Sequence, residues 1–180
     1  LVDLFDAEPA LTELYTPLYL RGMHNLLNSL FNLLQAKKFD AALTRLLDLP
    51  ERLPSLFSNK NNESLFYLFK YIHQIKKHFL EGTFSEGLHL VPELLEIMEE
   101  DRYNWDSHRE MLFNYRIACL YFGSGDCGST ITFLNRILNQ KNPDYRADIQ
   151  VFARLLSLIA HFELGNAQLV EYQVKSVYRF

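Results

Sequence analysis

The sequence predicts an all-α chain, an α-α superhelix of about four stacked antiparallel helical hairpins, and three observations lead there. Apolar residues recur at the 3.6-residue period of a helix with one buried face. Four times such a stripe runs into a short turn and resumes, with Phe39, Phe84, Cys127 and Ala167 just past the turns, at intervals of 45, 43 and 40 residues. A period in that range marks stacked hairpins, because one hairpin alone leaves an apolar face for its neighbour to cover. With 48% hydrophobic and 14% aromatic residues among 180, the chain has ample material for one continuous core, and residues 1–180 read as a single helical-repeat domain.

Residues 1–16 carry Leu4, Leu11, Leu14 and Tyr15 between polar residues and read as a partial extra helix. The first hairpin lies near 17–50. Its leading helix has Met23, Leu26, Leu27, Leu30, Leu33 and Leu34 on one face, Ala36 to Phe39 form the turn, and Asp40 starts the return helix by accepting from exposed N–H groups. Pro50 and Pro54 end that helix, since neither can donate a helical hydrogen bond. The second hairpin, 62–100, opens on Asn61 or Asn62 as cap, carries Leu65, Leu68, Phe69, Ile72, Ile75 and Phe79, turns at Glu81 to Phe84, and returns through Leu88, Val91, Leu95 and Met98. An interior Pro92 predicts that the return helix bends or that two short helices meet there.

The third hairpin, 107–139, begins with Ser107 to Glu110, which fits a capping box. Met111, Tyr115, Ala118, Cys119 and Phe122 make its stripe, Gly123 to Asp126 its turn, and Ile131, Leu134, Ile137 and Leu138 its return face. In the fourth, 143–180, Asn142 caps, Pro143 takes the first helical position, and Ile149, Phe152, Ala153, Leu156, Ile159 and Ala160 follow before Leu164-Gly165-Asn166 turns the chain into Leu169 to Phe180. The first residue is Leu rather than Met, and the last segment lacks a Gly or Pro terminator, so the chain reads as a piece of a longer one.

At the third hairpin, Ala118 to Asp126 (ACLYFGSGD) resembles the small-x-x-aromatic, Gly-Asp turn of the tetratricopeptide repeat (TPR). Phe39 to Leu43 and Phe84 to Leu88 resemble that repeat's opening of the second helix. With Leu18 to Leu26 and Ala153 to Asn166 included, about the last nine-tenths of the chain is similar to bacterial TPR-like proteins. It departs from them in its longer period, in Thr130 and Val170 at small-residue positions, and in irregular prolines. The resemblance implies a right-handed superhelix whose concave face binds a peptide or another protein.

Several kinds of chemistry are argued against. A net charge of −4 with scattered Lys and Arg disfavours a phosphate-binding face and hence nucleic acid. No apolar run reaches the roughly 20 residues that cross a bilayer, and no signal peptide is present, so a cytoplasmic location is expected. Cys119 and Cys127 are too few for a disulfide scaffold and lack metal spacing. Gly123 to Asp126 follows a helix rather than the strand a phosphate loop needs. His73 and His78 are five apart, off the zinc spacing, and read as one exposed and one edge histidine. His161 with Glu163 and His108 with Glu110 lie on different helix faces. Glu93, Glu96, Glu99, Glu100 and Asp101 read as a solvated acidic face, Asp126 blunts the Cys127 thiol, and Ser124 and Ser129 have no His partner.

No catalytic group, metal or cofactor is therefore expected. The surplus is aromatic: Tyr67, Tyr71, Tyr115, Tyr121, Phe122 and Phe162 sit on leading helices, where amphipathic rings suit a binding strip. Lys70, Arg116 and Arg154 on the same helices suit acidic groups. The expectation is a non-enzymatic scaffold that binds a protein or peptide through Lys70, Tyr71, Tyr115, Arg116, Phe122 and Arg154. The alternative is a regulatory or assembly segment packing against the rest of its own chain.

Overall fold

A computed structural model describes residues 2–139, 146–170 and 174, and among them there is no β-strand. Tertiary contacts divide the chain into two compact units, Leu1–Thr83 with Pro92–Asn104, and Phe84–Val91 with Trp105–Phe180.

The first unit opens with two short helices, α1 (Val2–Ala7) and α2 (Pro9–Leu14), where one partial helix was expected. Pro9 lies in the first turn of α2, where its missing N–H costs nothing. Thr12 donates to the Phe5 carbonyl at 2.7 Å across that break. Asp6 accepts from the Tyr19 hydroxyl at 2.9 Å and from Arg52 at 3.0 Å, and also pairs with Arg45. These bonds hold α1 against α3 (Thr16–Asn32), which packs in turn on α4 (Ala36–Leu47) and α6 (Lys60–Glu81).

The first reversal is Leu33 to Gln35, not Ala36 to Phe39, so Ala36 to Phe39 form the first turn of α4. Leu34 sits at φ 53° and is 75% exposed, and Leu33 is 65% exposed, which removes both from the expected stripe. The core face of α3 is Tyr19, Leu20, Met23 and Leu27, meeting Phe39, Leu43 and Leu46 of α4. Asp40 is no cap; it lies inside α4 and pairs with Lys77. Pro50 and Pro54 each lie in the first turn of a short element, α5 (Leu49–Arg52) and the 3-10 turn Pro54–Ser58. Asn59 rather than Asn61 or Asn62 caps α6, accepting from both of their N–H groups at 2.9 and 3.4 Å. Gly82 ends it at φ 71°, a left-handed conformation that glycine tolerates best.

The strain anticipated at Pro92 is resolved by a break. The chain runs through α7 (Phe84–Gly87), a 3-10 turn Leu88–Leu90, and then α8 (Val91–Glu99), with Pro92 in the first turn of α8. The buried face of that stretch is Leu90, Val91, Leu94 and Ile97; Leu88, Leu95 and Met98 are half-buried. The 3-10 turn alters the rotation per residue and shifts the stripe from its expected register.

In the second unit α9 (Ser107–Gly123) packs on α10 (Cys127–Leu138), and α11 (Ala147–Glu163) packs on both. Asp106, one residue before the expected Ser107, is the cap of α9 and accepts from the Arg109 N–H at 2.9 Å. Met111, Phe113, Ile117, Ala118 and Leu120 form the buried face, while Tyr115, Cys119 and Phe122 are half-buried. Gly123 closes α9 against the ring of Phe84, which a Cβ there would overlap. Gly125 turns the chain at φ 88°, and Asp126 caps α10, accepting from the Ser129 N–H and hydroxyl. Cys127, just past the turn, is the buried first residue of α10.

Thr130 is fully buried because its hydroxyl donates to the Asp126 carbonyl at 2.8 Å, satisfying the polar group within its own helix. Ala153, Ser157 and Ala160 bury a small-residue face of α11, whereas Phe152 and Ile159 are exposed. Gly165 reverses the chain at φ 71° after α11, as expected for the fourth turn. Asn142, Pro143 and most of the expected last helix lie outside the described residues.

Candidate functional site

A ladder of three rings stands on the first unit. Phe57, from the 3-10 turn before α6, stacks on Tyr67 at 5.9 Å and 18°, and Tyr67 stacks on Tyr103 at 4.8 Å and 13°. Phe66 meets Phe57 and Tyr67 edge-on, at 5.7 and 5.3 Å, fixing their tilt. Ser64 donates to the Tyr103 carbonyl at 3.1 Å, holding the segment after α8 against α6. Phe57 is 40% exposed, and Tyr67 and Tyr103 are half-buried, so the ladder keeps a wet edge. The Lys70 ammonium lies 5.4 Å from the Tyr67 centroid and 4.9 Å from that of Tyr71.

Lys70 is thus half-buried and seated on aromatic faces. Tyr71 is wholly buried, and burial together with the Glu93 carboxylate pushes its hydroxyl well above the usual range. Its ring is core, whereas Lys70 and Tyr67 are half-buried. The other acidic residues of that stretch, Glu96, Glu99, Glu100 and Asp101, are exposed, with Arg102 pairing with Glu96 and Glu100 at 2.9 and 2.6 Å.

The histidines of α3 and α6 join through a directed chain of donors. Lys76 donates to Asn28 Oδ1 at 2.7 Å, which turns the Asn28 amide nitrogen toward His24 Nε2 at 3.0 Å. That nitrogen must then accept, so the His24 proton is on Nδ1 and is given to His73 Nε2 at 2.9 Å. His73 is completely buried, not exposed or at an edge, and His24 stacks on Phe69 at 4.2 Å. His78 is half-buried, with Nδ1 at 2.8 Å from the Thr83 hydroxyl. The relay ties α3 to α6; among the described residues no group of three His, Cys, Asp or Glu side chains is placed to hold a metal.

The second unit carries the remaining four expected residues. Tyr115 and Arg116 are neighbours on α9, Phe122 lies two turns further along it, and Arg154 is on α11, which packs against α9. All four are half-buried. Tyr115 lies within hydrogen-bonding reach of Cys119; burial raises its hydroxyl above the usual range and raises the Cys119 thiol to about 11. Burial also lowers the Arg116 guanidinium to about 10, with Arg146 adding repulsion. The expected set therefore divides, with Lys70 and Tyr71 in one unit and Tyr115, Arg116, Phe122 and Arg154 in the other.

Phe57 and Tyr103 were missed, because both sit outside the α-helices, where the 3.6-residue periodicity gives no signal. Among the described residues no helix is long and apolar enough to cross a membrane. No protein-family model, curated protein or solved structure matches the chain.

Proposed function

We propose that the chain is a non-enzymatic, TPR-like scaffold of the cytoplasm that binds a protein or peptide on the concave wall of a helical-repeat superhelix. The observation that carries this is the half-exposed ladder Phe57, Tyr67 and Tyr103 with Lys70 seated on it. Stacked rings offer a rigid amphipathic surface at little entropic cost, and a cation among them adds attraction for an acidic side chain. A protein partner is favoured over nucleic acid by the net charge of −4.

Peptides selected by display on the whole chain test it. Tyr67→Ala and Lys70→Glu should each weaken the selected peptides about tenfold or more, as loss of a central anchor does. Binding indifferent to both, with the far-UV spectrum intact, would remove the ladder as the binding surface.

One observation favours a second reading, an assembly segment covered by more of its own polypeptide. Val151, Phe152, Leu155, Ile159 and Phe162 form an exposed apolar stripe along α11, the kind of face that a further repeat buries.

A further inference from the structure

The exposed apolar stripe of α11 has a property that covering by an unrelated surface does not require: its pattern reads the same in both directions. Phe152, Leu155, Ile159 and Phe162 follow one another at spacings of three, four and three residues. Half-buried Leu156 and Leu158 flank the middle at equal distances from Ser157. Ser157 is itself buried with Ala153 and Ala160 on the opposite face of the helix, so the stripe points away from the core of the second unit. Just past the stripe lies a pocket of about 220 Å³, lined among the described residues by Phe162, Gly165, Ala167 and Val170. Its wall is apolar, and its volume exceeds the roughly 150 Å³ that admits benzene.

We propose that α11 is the contact of a two-fold dimer, in which the stripe of one copy lies antiparallel on the stripe of a second copy of this chain. A two-fold contact uses one patch twice, so the patch must be complementary to itself. Antiparallel pairing centred on Ser157 sets Phe152 level with Phe162 of the second copy, and Leu155 level with Ile159 of the second copy. A helical side chain leans toward the N-terminus of its own helix, which carries the Phe152 ring past Phe162 of the second copy toward the pocket beside Gly165. Each copy thus gives one ring and receives one. Parallel pairing would leave both pockets empty and set exposed Glu163 against its own equivalent, a like-charge contact; the antiparallel arrangement places it beside Val151 instead. The exposed apolar area amounts to roughly 1,000 Å² over two copies, above a crystal contact and just short of a stable interface, so the dimer is a weak one. A further stretch of the same polypeptide would need no such symmetry. The contact belongs to the second unit alone and stands apart from the aromatic ladder, so either can fail without the other.

Sedimentation equilibrium of the whole chain over a concentration series up to about 1 mM tests this, and the average mass should climb from one chain toward two with a Kd on the order of 100 µM. Phe152→Ser and Ile159→Lys should each weaken the association at least about tenfold with the far-UV spectrum unchanged, as loss of a central anchor does. Tyr67→Ala, on the ladder, should leave it unmoved. Orientation is read by mixing a Leu155→Cys chain with an Ile159→Cys chain in a glutathione redox buffer, where the mixed disulfide should form in clear excess over both self-pairs. A chain that stays monomeric throughout would overturn the dimer and leave the face to further polypeptide or another protein. So would association that survives both α11 substitutions, association lost in Tyr67→Ala, or self-pairs that equal or exceed the mixed disulfide. Should Phe152→Ser fail to fold, Ile159→Lys decides alone.

Discussion

Cys119 shows how a single side chain reports its surroundings. Burial raises its thiol to about 11, with the Tyr115 hydroxyl and the Arg116 charge pulling weakly the other way. The thiolate is the nucleophile, so native Cys119 should resist alkylation by iodoacetamide at pH 8 and react readily only in denaturant. In the unfolded chain the thiol ionises near 8.5. Its contribution to stability is therefore complete below that pH and is lost as pH rises toward 11, because the unfolded state releases its proton first. Native labelling at pH 8 as fast as in urea would contradict this. Arg116 has the opposite sign: a base depressed by burial costs stability at neutral pH, which is why its replacement by Met is expected not to harm the fold. Neither environment can be read from sequence, where Cys119 and Arg116 are merely helical positions.

Among the helices, the turns were the most legible features and the caps the least. Gly82, Gly125 and Gly165 each take positive φ at an expected reversal, since a chain leaving a helix needs that conformation and glycine adopts it without a Cβ penalty. Caps slipped, Asn59 for Asn61 or Asn62 and Asp106 for Ser107, because neighbouring polar residues compete and only the entering chain direction decides, and Asp40 lies inside α4 rather than at its start. Gly123 has a different role from the other three. It lets α9 close on the Phe84 ring. Gly123→Ala should cost about 1–3 kcal/mol by overpacking, measured by urea denaturation, despite alanine's higher helix propensity. Phe84→Leu should restore part of that loss in the double variant. An unchanged midpoint in Gly123→Ala would mean that the Phe84 ring moves aside freely.

For the chain as a whole, the all-helical class followed from periodicity alone, since a 3.6-residue apolar repeat has only one satisfying backbone. The grouping of side chains did not follow. His24 and His73 are 49 residues apart and meet through one 2.9 Å bond, and Phe57 joins Tyr67 and Tyr103 from outside any α-helix. Long-range pairings of this kind depend on helix azimuth, and a register shift of one residue rotates a side chain by about 100°. Exposure on α11 bears on behaviour in solution. Phe152 and Phe162 are 57% and 68% exposed, so replacing both with Ser should leave the melting temperature nearly unchanged, within about 0.5 kcal/mol. Light scattering at high concentration should fall. A large drop in melting temperature would show that the stripe is already covered.

The only tryptophan of the chain is Trp105, buried and stacked on Phe113 at 5.0 Å within the second unit. Indole emission is therefore a local witness: it follows the surroundings of Phe113 on α9, and a separate optical probe of the first unit would have to be built in.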